Sequence, residues 1–249
     1  MVAKLSLFIL ETIITTRECV NHMIIPDNFT SLISEDTQHI CPENEFCVKI
    51  VAITKLPTKH GLFYAIAFDQ THDSFEHVVF AYGDVVNKEE VLVRLHSECL
   101  TGDTIGSLRC DCGQQLNGSL SKIVEEGAGI LIYLRQEGRG IGLVNKLKAY
   151  ALQDNGLNTF EANRALGFKD DERNYLLAAH ILKSLKVHSI RLLTNNPEKI
   201  KSLEENGIKV TKRMPLQYKS NKHNESYLRS KFEQNHLLEI DWAKDHQME

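Results

Sequence analysis

Three cysteines in the middle of the chain have a spacing that suits catalytic metal chemistry. They are Cys99, Cys110 and Cys112, in the run RLHSECLTGDTIGSLRCDCG. Three thiolates can hold a zinc ion and leave its fourth coordination position open, whereas a structural zinc normally has four protein ligands. Spacing alone leaves one alternative, a structural zinc knuckle in which His96 or Asp111 is the fourth ligand.

Charged residues are interleaved with these cysteines. A packed core accepts few ionised side chains, because each of them would lose its water. We therefore expect the cysteines to line an open site beside a charged substrate. The charged residues are Arg94, Glu98, Asp103, Arg109 and Asp111.

A second group of residues, RQEGRGIGL from Arg135 to Leu143, is suited to binding phosphate. It follows a predicted strand and opens a predicted helix, so free backbone amides and the positive end of the helix face the same place. Its glycines allow a phosphate to approach the backbone closely. The run is neither the dinucleotide-binding GxGxxG motif nor a P-loop. Taken alone, it is interpreted equally well as a plain glycine-rich turn.

The composition is that of an ordinary globular protein and excludes several classes. Of 249 residues, 42% are hydrophobic and 25% are charged, which excludes disordered and fibrous chains. The net charge of −4 argues against a general nucleic-acid-binding protein, which would carry a basic surplus. Six cysteines are too few for a disulfide scaffold. We expect a reducing compartment, three thiols on the metal, and free thiols at Cys19, Cys41 and Cys47.

The amino terminus resembles the start of a signal sequence but does not continue as one. Lys4 precedes an apolar run that Glu11 interrupts, and no clean cleavage site follows. No run approaches the roughly 18 apolar residues of a membrane span. We therefore predict a cytoplasmic protein that does not associate with membranes.

Four short β-rich runs follow residue 46 and predict the first half of the fold. Turn residues separate them, and together they favour an antiparallel sheet curled on itself or a small barrel. The last run ends shortly before the first cysteine. The runs are Val48–Ile53, Gly61–Phe68, His77–Tyr82 and Val91–Leu95.

The second half of the chain alternates predicted helices and strands. An apolar face at Leu116, Leu120, Ile123 and Val124 predicts a helix that ends at Gly127. An asparagine followed by proline suits the start of a later helix, as cap and first residue. The remaining elements are a buried strand at Gly129–Leu134, a helix marked by Leu143, Leu147, Tyr150 and Ala151, a helix over 174–185, a strand at Ile190–Leu193, a helix from Asn196 and Pro197 to Gly207, and a strand from Ile208 to Val210.

These elements predict an α+β, or mixed α/β, fold with a single catalytic domain. The catalytic domain is expected at 47–218. An N-terminal extension of unknown role precedes it at 1–46; it lacks a clear hydrophobic period, so we expect it to lie outside the core. A polar C-terminal tail with some helix is expected at 219–249.

Several motifs, in order along the chain, closely resemble GTP cyclohydrolase II, the family that catalyses the first step of riboflavin synthesis. They are RLHSECLTGD, SLRCDCG, RQEGRGIGL, YALQD, DERNY and LTNNP, and the likeness runs from residue 48 to residue 220 or so. The resemblance implies a hydrolase acting on cyclic amidine C–N bonds. Its reaction converts GTP and water to formate, pyrophosphate and 2,5-diamino-6-(5-phospho-D-ribosylamino)pyrimidin-4(3H)-one.

The resemblance also implies which residues bind the metal and GTP. Cys99, Cys110 and Cys112 correspond to the family's zinc ligands, and zinc brings the pKa of bound water down toward about 7. The negative charge of three thiolates would weaken that effect, so hydrogen-bond donors are expected beside them. The residues that correspond to GTP contacts are Arg94, Leu95, His96, Ser97, Glu98, Gln115, Glu137, Gly138, Arg139, Thr159, Thr194 and Lys199. Glu137 and Glu98 are alternative readers of guanine.

Three more residues have catalytic roles that the resemblance implies. Asp171 corresponds to the family's proton acceptor and Arg173 to its proposed nucleophile at the α-phosphorus. A protonated arginine has no free lone pair, so a phosphate clamp is the alternative role for Arg173. Without the resemblance, the two residues would be a plain surface pair. Tyr150 corresponds to a tyrosine near the purine, although a tyrosine on an apolar helix face is often a core residue.

The resemblance further implies Mg²⁺ with the triphosphate, held mainly by phosphate oxygens and water, and a homodimer. Some members are fused to a 3,4-dihydroxy-2-butanone 4-phosphate synthase domain. About 46 residues precede the matching region, which is too few for such a domain, so we expect a monofunctional chain. Two alternatives remain: a paralogue that stops at the ring-opened formamide, and a zinc-dependent nucleotide- or nucleic-acid-binding module without turnover.

Overall fold

The computed structural model describes residues 47–238 together with Phe29 and Leu32. Its strands are β1 (Val48–Pro57), β2 (Leu62–Gln70), β3 (Val78–Tyr82), β4 (Val91–Ser97), β5 (Gly129–Leu134), β6 (Ser189–Leu193) and β7 (Lys209–Met214). Its helices are α1 (Leu100–Asp103), α2 (Cys112–Glu126), α3 (Gly142–Asp154), α4 (Thr159–Ala165), α5 (Leu176–Ser184), α6 (Pro197–Glu205) and α7 (Glu225–Glu233). A short 3-10 turn at Glu137–Gly140 lies between β5 and α3.

The strands form one mixed sheet in the order β1-β2-β3-β5-β4-β6-β7. β1, β2 and β3 pair antiparallel, and β3 pairs antiparallel with β5. β5, β4, β6 and β7 run parallel to one another. Parallel neighbours need a crossover connection, and α2 supplies the one between β4 and β5.

Alternate residues of the central strand β4 pack on opposite faces of the sheet, as the two-residue period of a strand requires. Val93 and Leu95 face the larger hydrophobic core, to which α5 contributes. Leu92 faces a smaller core beneath α2. Arg94 and His96 have the same parity as Leu92, so they lie on the α2 face, where the cysteine segment also begins.

The strand β4 lies between β5 and β6, and the chain passes first to β5 on one side and later to β6 on the other. Such a reversal opens a crevice beyond the carboxyl ends of parallel strands. The segments that follow β4, β5 and β6 therefore meet at one edge of the sheet. They carry the cysteines, the glycine-rich run and Thr194, respectively.

The predicted mixed α/β fold is confirmed, and the strands lie where the β-rich runs predicted them. The prediction that the fourth run closes an antiparallel sheet or barrel is wrong. β5 lies between β3 and β4, and β4 is parallel to both of its neighbours. The pattern of one strand shows that it is buried, but not which strand a later crossover will place beside it.

Two helix ends follow the predicted caps: α2 ends at Gly127, which has a φ of 82°, and the side chain of Asn196 caps α6. The helix α3 lies where predicted but buries unexpected residues. Lys146 and Ala149 are buried, whereas Leu147 is 50% exposed. In the described part of the chain, no helix has both the length and the apolarity needed to cross a membrane.

Two side chains of the predicted N-terminal extension, Phe29 and Leu32, belong to the larger core. This differs from our expectation for the extension, because an apolar side chain needs no regular period to be buried. Cys47 is disulfide-bonded rather than a free thiol, and its partner lies outside the described residues. Cys19 and Cys41 lie outside them as well.

Candidate metal and nucleotide site

The three predicted metal ligands converge at the carboxyl end of β4. Cys99 follows that strand, and Cys110 and Cys112 lie at the start of α2. Their sulfur atoms all lie within 4.8 Å of one another, and Sγ of Cys99 is 3.7 Å from Sγ of Cys110. Tetrahedral sulfur ligands of zinc, each about 2.3 Å from the metal, are about 3.8 Å apart. The thiols therefore fit a zinc ion.

Among the described residues, no fourth histidine, cysteine or carboxylate completes this group. Nε2 of His96 is 3.0 Å from both carboxylate oxygens of Asp103. The carboxylate of Asp111 accepts hydrogen bonds from Lys231 at 2.6 Å and Gln115 at 2.5 Å. Both candidates for a fourth ligand are engaged elsewhere, which disfavours the zinc knuckle and leaves one coordination position open.

Asp103 connects the first cysteine to the strands beneath it. Its carboxylate accepts hydrogen bonds from the backbone N–H of Cys99 at 3.0 Å and from the hydroxyl of Tyr133 at 2.9 Å. The imidazole of His96 stacks on Tyr133, with ring centres 5.5 Å apart. Burial lowers the pKa of His96 because it disfavours the charged ring. The neutral imidazole therefore holds Asp103 and Tyr133 in place through its hydrogen bonds and stacking.

Some of the charged residues expected in an open cleft are instead buried. Arg94 is 5% exposed and Asp111 is 3% exposed. The fold tolerates them because each is paired: Arg94 donates to the carbonyl of Leu193 and to the side-chain oxygen of Gln115. Within the described residues, Nε of Arg94 has no hydrogen-bond acceptor, so one buried donor remains for a ligand.

The carboxylate of Glu137 connects the glycine-rich turn to Leu100, the residue after Cys99. Its carboxylate accepts hydrogen bonds from the backbone N–H of Leu100 at 2.6 Å and of Gly138 at 2.8 Å. The ammonium of Lys146 donates to the same carboxylate at 2.7 Å. These hydrogen bonds hold the glycine-rich turn against the first residue of α1.

The turn itself is in an uncommon backbone conformation. Arg139 has a φ of 62° and Gly140 a φ of 92°, and a non-glycine residue in this region costs about 1–3 kcal/mol. A Cβ on Gly140 would lie 3.0 Å from the backbone of Glu172. The N–H of Glu172 donates to the carbonyl of Arg139 at 3.0 Å. The turn is therefore packed against the segment that carries the predicted Asp–Arg pair.

A cavity of about 710 Å³ lies over the thiols, and it falls in the size range of small-molecule sites. Ser97, Glu98, Thr159 and Tyr150 border it together with the glycine-rich turn. The guanidinium of Arg109 lies 4.7 Å from the ring centre of Tyr150. Tyr150 therefore faces the site and not the core.

A second cavity of about 60 Å³ lies on the other side of Cys112. Lys199 is 5% exposed and donates to the carbonyl of Leu95 at 2.7 Å; the side chain of Leu95 is in the larger core. Burial lowers the pKa of Lys199 well below its ordinary value, and nearby cations add to the effect. The predicted GTP contacts that border this cavity are Arg94, His96, Ser97, Gln115, Thr194 and Lys199.

Arg173 borders both cavities and is held by Asp171. Nε of Arg173 is 2.8 Å from Oδ1 of Asp171, and Nη2 is 2.5 Å from Oδ2. Burial disfavours the charge of Arg173, but Tyr175 and Asp171 outweigh it and raise the pKa of the guanidinium. Burial likewise acts to raise the pKa of Asp171, but its bonds to Arg173 bring that pKa below its ordinary value. The two side chains form an ion pair.

The C-terminal helix α7 stands between the two cavities. Tyr227 borders both of them, and its hydroxyl lies 4.0 Å from Sγ of Cys112. One turn later, Lys231 forms an ion pair with Asp111 at 2.6 Å, and both side chains are largely buried. The segment predicted as a polar tail therefore contains a helix, and that helix is a wall of the site.

Three residues of the site were not singled out from the sequence: Lys146, Tyr227 and Lys231. For Lys146 a signal existed, because it lies four residues before Tyr150 and so shares its helix face. For α7 there was none, since its composition is polar and Lys231 is 120 residues from its partner Asp111. Contacts at that separation leave no local pattern.

The family model of GTP cyclohydrolase II matches residues 49–215. A GTP cyclohydrolase-2 from Shewanella baltica is 52% identical over 184 residues, which cover 74% of this chain and 90% of that protein. A GTP cyclohydrolase-2 from Aeromonas hydrophila subsp. hydrophila is 53% identical over 184 residues, which cover 74% of this chain and 93% of that protein.

A longer relative is the riboflavin biosynthesis protein RibBA of Bacillus velezensis, 55% identical over 185 residues. The alignment covers 74% of this chain and 46% of the relative, so the chain spans about half the length of that protein. The residues matched by the family model include all three thiols, the glycine-rich turn and the Asp171–Arg173 pair. The chain belongs to the GTP cyclohydrolase II family.

Proposed function

We propose that the protein hydrolyses GTP with the help of zinc and releases formate and pyrophosphate. The nucleotide product would be 2,5-diamino-6-(5-phospho-D-ribosylamino)pyrimidin-4(3H)-one, as in the first step of riboflavin biosynthesis. The observation that carries the proposal is the set of three thiols, to which the described part of the chain adds no fourth ligand, beside a cavity of about 710 Å³. A purely structural zinc site needs neither an open position nor a cavity.

Cys99, Cys110 and Cys112 would hold the zinc ion. When bound, zinc supplies a Lewis acid and activates water for attack on C8 of guanine. The protein's part is to hold the purine with that carbon toward the thiols and to limit the access of other water. The cavity supports this role because the thiols and Tyr150 border the same space.

Glu98 is better placed than Glu137 to read guanine. A carboxylate can accept hydrogen bonds from N1–H and the 2-amino group of guanine. Glu137 already accepts from two backbone N–H groups and an ammonium. Glu98 borders the cavity, and its ion pair with Arg135 is long, at 3.6 Å. Its oxygens can therefore still accept hydrogen bonds from guanine.

Basic side chains around the site would bind the triphosphate. Arg139 and Arg173 border the larger cavity, and Arg94 and Lys199 border the smaller one. Guanidinium groups match phosphate oxygens in a fork-like geometry, and charges interact more strongly where water is excluded. Mg²⁺ would be held mainly by the phosphate oxygens and water, so the site needs few carboxylates for it.

Arg173 would act as an electrostatic clamp on the α-phosphate and not as a nucleophile. Its raised pKa keeps the guanidinium protonated, and a protonated guanidinium has no lone pair for attack. Asp171 fixes the orientation of the clamp through two hydrogen bonds. The clamp would stabilise negative charge that develops as pyrophosphate leaves.

The test is to incubate the purified protein with GTP and to measure its zinc content in the same sample. We expect about one zinc ion per chain and the release of formate and pyrophosphate in equal amounts. Mass spectrometry of the nucleotide identifies the product. A protein that binds no zinc under any condition would contradict the proposal.

Two other outcomes would favour the alternatives. A ring-opened formamide without formate indicates a paralogue that performs part of the reaction. Binding of zinc and GTP without turnover indicates a nucleotide-binding module. The full reaction is favoured because one cavity is bordered by all three thiols and by the predicted site residues Glu137, Arg139 and Arg173.

We also propose a homodimer formed through an apolar face. Ile105, Leu108, Val144 and Leu147 are 75%, 60%, 67% and 50% exposed. The first two lie between α1 and α2 and the others on α3, and an ion pair between Arg109 and Asp154 joins these segments. A second copy would cover side chains that are costly to leave in water.

A cytoplasmic location remains a prediction. Metal-binding thiols must stay reduced, and reducing compartments maintain them in that state. The disulfide at Cys47 argues against such a compartment, because disulfides are rare where thiols are kept reduced. Fractionation of cells that produce the protein would test the location.

A further inference from the structure

Lys146 lies between the thiols and the glycine-rich turn. It projects from α3, and its side chain is 8% exposed. Its ammonium is 3.1 Å from Sγ of Cys99, 3.1 Å from the hydroxyl of Thr101 and 2.7 Å from Oε1 of Glu137. Because a buried ammonium is costly without such partners, these contacts determine where the side chain rests.

The ammonium has no donor to spare for a substrate. A lysine carries three N–H groups, and three acceptors of the protein surround Nζ of Lys146. Lys146 borders the larger cavity, but its hydrogen bonds are directed at the protein. Its role is therefore to hold protein groups in place.

Without Lys146, the Cys99 thiolate and the Glu137 carboxylate would lie close together in a buried place with no cation between them. Cys99 must be a thiolate to bind zinc, and the carboxylate of Glu137 contacts the same ammonium as the sulfur does. Three thiolates also carry more negative charge than one zinc ion neutralises. A cation that donates a hydrogen bond to one sulfur reduces the charge which that sulfur gives to the metal.

We propose that Lys146 is a positioning residue of the metal site. Its ammonium bridges the Cys99 thiolate and the Glu137 carboxylate, moderates the charge that Cys99 donates to zinc, and keeps the glycine-rich turn against the thiols. This inference rests on the zinc binding proposed above.

The test replaces zinc with Co²⁺ in the full chain, because cobalt–thiolate charge-transfer bands report the charge donated by sulfur. In Lys146→Met, which has a neutral side chain of similar length, we expect these bands to shift to lower energy. We also expect the apparent zinc affinity to fall about 10–100-fold, because Cys99 loses the contact that positions its sulfur. Lys146→Arg keeps a cationic donor and should return both values toward wild type.

The matched control is Lys148→Met, a change at an exposed position of the same helix, which should leave the spectrum unchanged. If Lys146→Met fails to fold, the double variant Glu137→Gln/Lys146→Met removes the second anion as well. It should fold and still show the shifted bands.

A folded Lys146→Met protein with the wild-type cobalt spectrum would overturn the inference. That outcome leaves the proposed function untouched, since the metal still binds. A wild-type protein that binds neither zinc nor cobalt would instead contradict the proposed function itself. The two failures are therefore distinguishable in one set of samples.

Discussion

Two charged side chains near the thiols, Arg94 and Asp111, are buried, and each bonds to a partner from another segment of the site. Arg94 bonds to Gln115, and Asp111 bonds to Lys231. Removing one member of a buried pair costs more than the pair contributes, because the other member is left without a partner. A substitution in such a pair therefore needs a companion variant that keeps the charge or changes both members.

The proposed zinc ligands can be tested singly, because a thiol-to-hydroxyl change is small. In Cys110→Ser we expect loss of bound zinc and of formate release, while the far-ultraviolet circular dichroism stays that of the wild type. The reason is that none of the three cysteines belongs to either hydrophobic core. Global unfolding of this variant would contradict the prediction and point to a structural metal.

The role of Arg173 is tested by Arg173→Lys. A lysine keeps the charge but loses the two-pronged contact with Asp171, so we expect kcat to fall about 10–1,000-fold without being abolished. Mass spectrometry of the protein during turnover should detect no nucleotide attached to the chain. A trapped adduct at Arg173 would show that this residue is a nucleophile.

The convergence of the three thiols could be predicted from the sequence, and the contacts that support them could not. Cys99, Cys110 and Cys112 are close in the chain, so their spacing carries the information. Lys146 and Glu137 contact Cys99 and its neighbour across a crossover connection. Their importance depends on how α3 is rotated, and the apolar pattern of that helix predicted a different buried face.

Among the elements, the glycine-rich turn depends most on its backbone. In Gly140→Ala we expect a lower melting temperature and reduced turnover, because the new Cβ would lie 3.0 Å from the backbone of Glu172. Gly142→Ala is the matched control: its φ is 82°, and no atom lies within 4 Å of the added Cβ. It shares the backbone strain without the clash.

Differential scanning fluorimetry compares the two variants. The expected difference between them corresponds to about 1–3 kcal/mol of the free energy of unfolding. Equal melting temperatures for Gly140→Ala and Gly142→Ala would show that the contact with Glu172 does not hold the turn.

The segment after α7 should loosen in mild acid. Burial and four nearby cations lower the pKa of His236 to about 3; the cations are Lys231, Arg173, Arg139 and Lys199. The neutral ring is therefore favoured in the fold, and its contribution is present above the ordinary histidine pKa of about 6.5. It is lost progressively as the pH falls from there toward 3.

Hydrogen exchange of residues 225–238 at pH 7.5 and pH 5, corrected for intrinsic rates, tests this prediction. Protection should fall at the lower pH in the wild type and stay constant in His236→Gln, whose side chain does not titrate. The same loss of protection in both proteins would assign the effect to another group.

Element positions were largely predictable, because β-rich runs and capping residues are local signals. The end of α2 at Gly127 and the start of α6 at Asn196 followed from residue type. The position of α7 was not predictable. Its apolar residues are few, and its place is decided by Tyr227 and Lys231, whose partners come from the other end of the site.

For the molecule as a whole, the exposed apolar face predicts self-association. In Leu147→Asp we expect the dimer to dissociate at micromolar concentration, because a carboxylate would be buried without a partner. Sedimentation equilibrium measures the effect. Val51→Asp is the control, since Val51 is similarly exposed, at 55%, and lies on the edge strand β1, which β2, β3 and β5 separate from β4. A wild-type monomer would contradict the proposed dimer directly.

The fold class could be predicted from the sequence, but the strand order could not. Val91–Leu95 is apolar in nearly every position, which is typical of a strand buried on both faces. That pattern does not say whether its neighbours are parallel. The crossover through α2 decides this, and it also brings the thiols to the edge where β5 and β6 end.

The helix that separates the two cavities has a consequence for how the protein matures. Residues 225–238 leave the ribosome after every strand of the sheet. The three thiols of a growing chain are therefore made before α7, which forms one wall of the site. Metal loading would then be least hindered during synthesis. Tyr227 and Lys231 close that side only when translation has passed them.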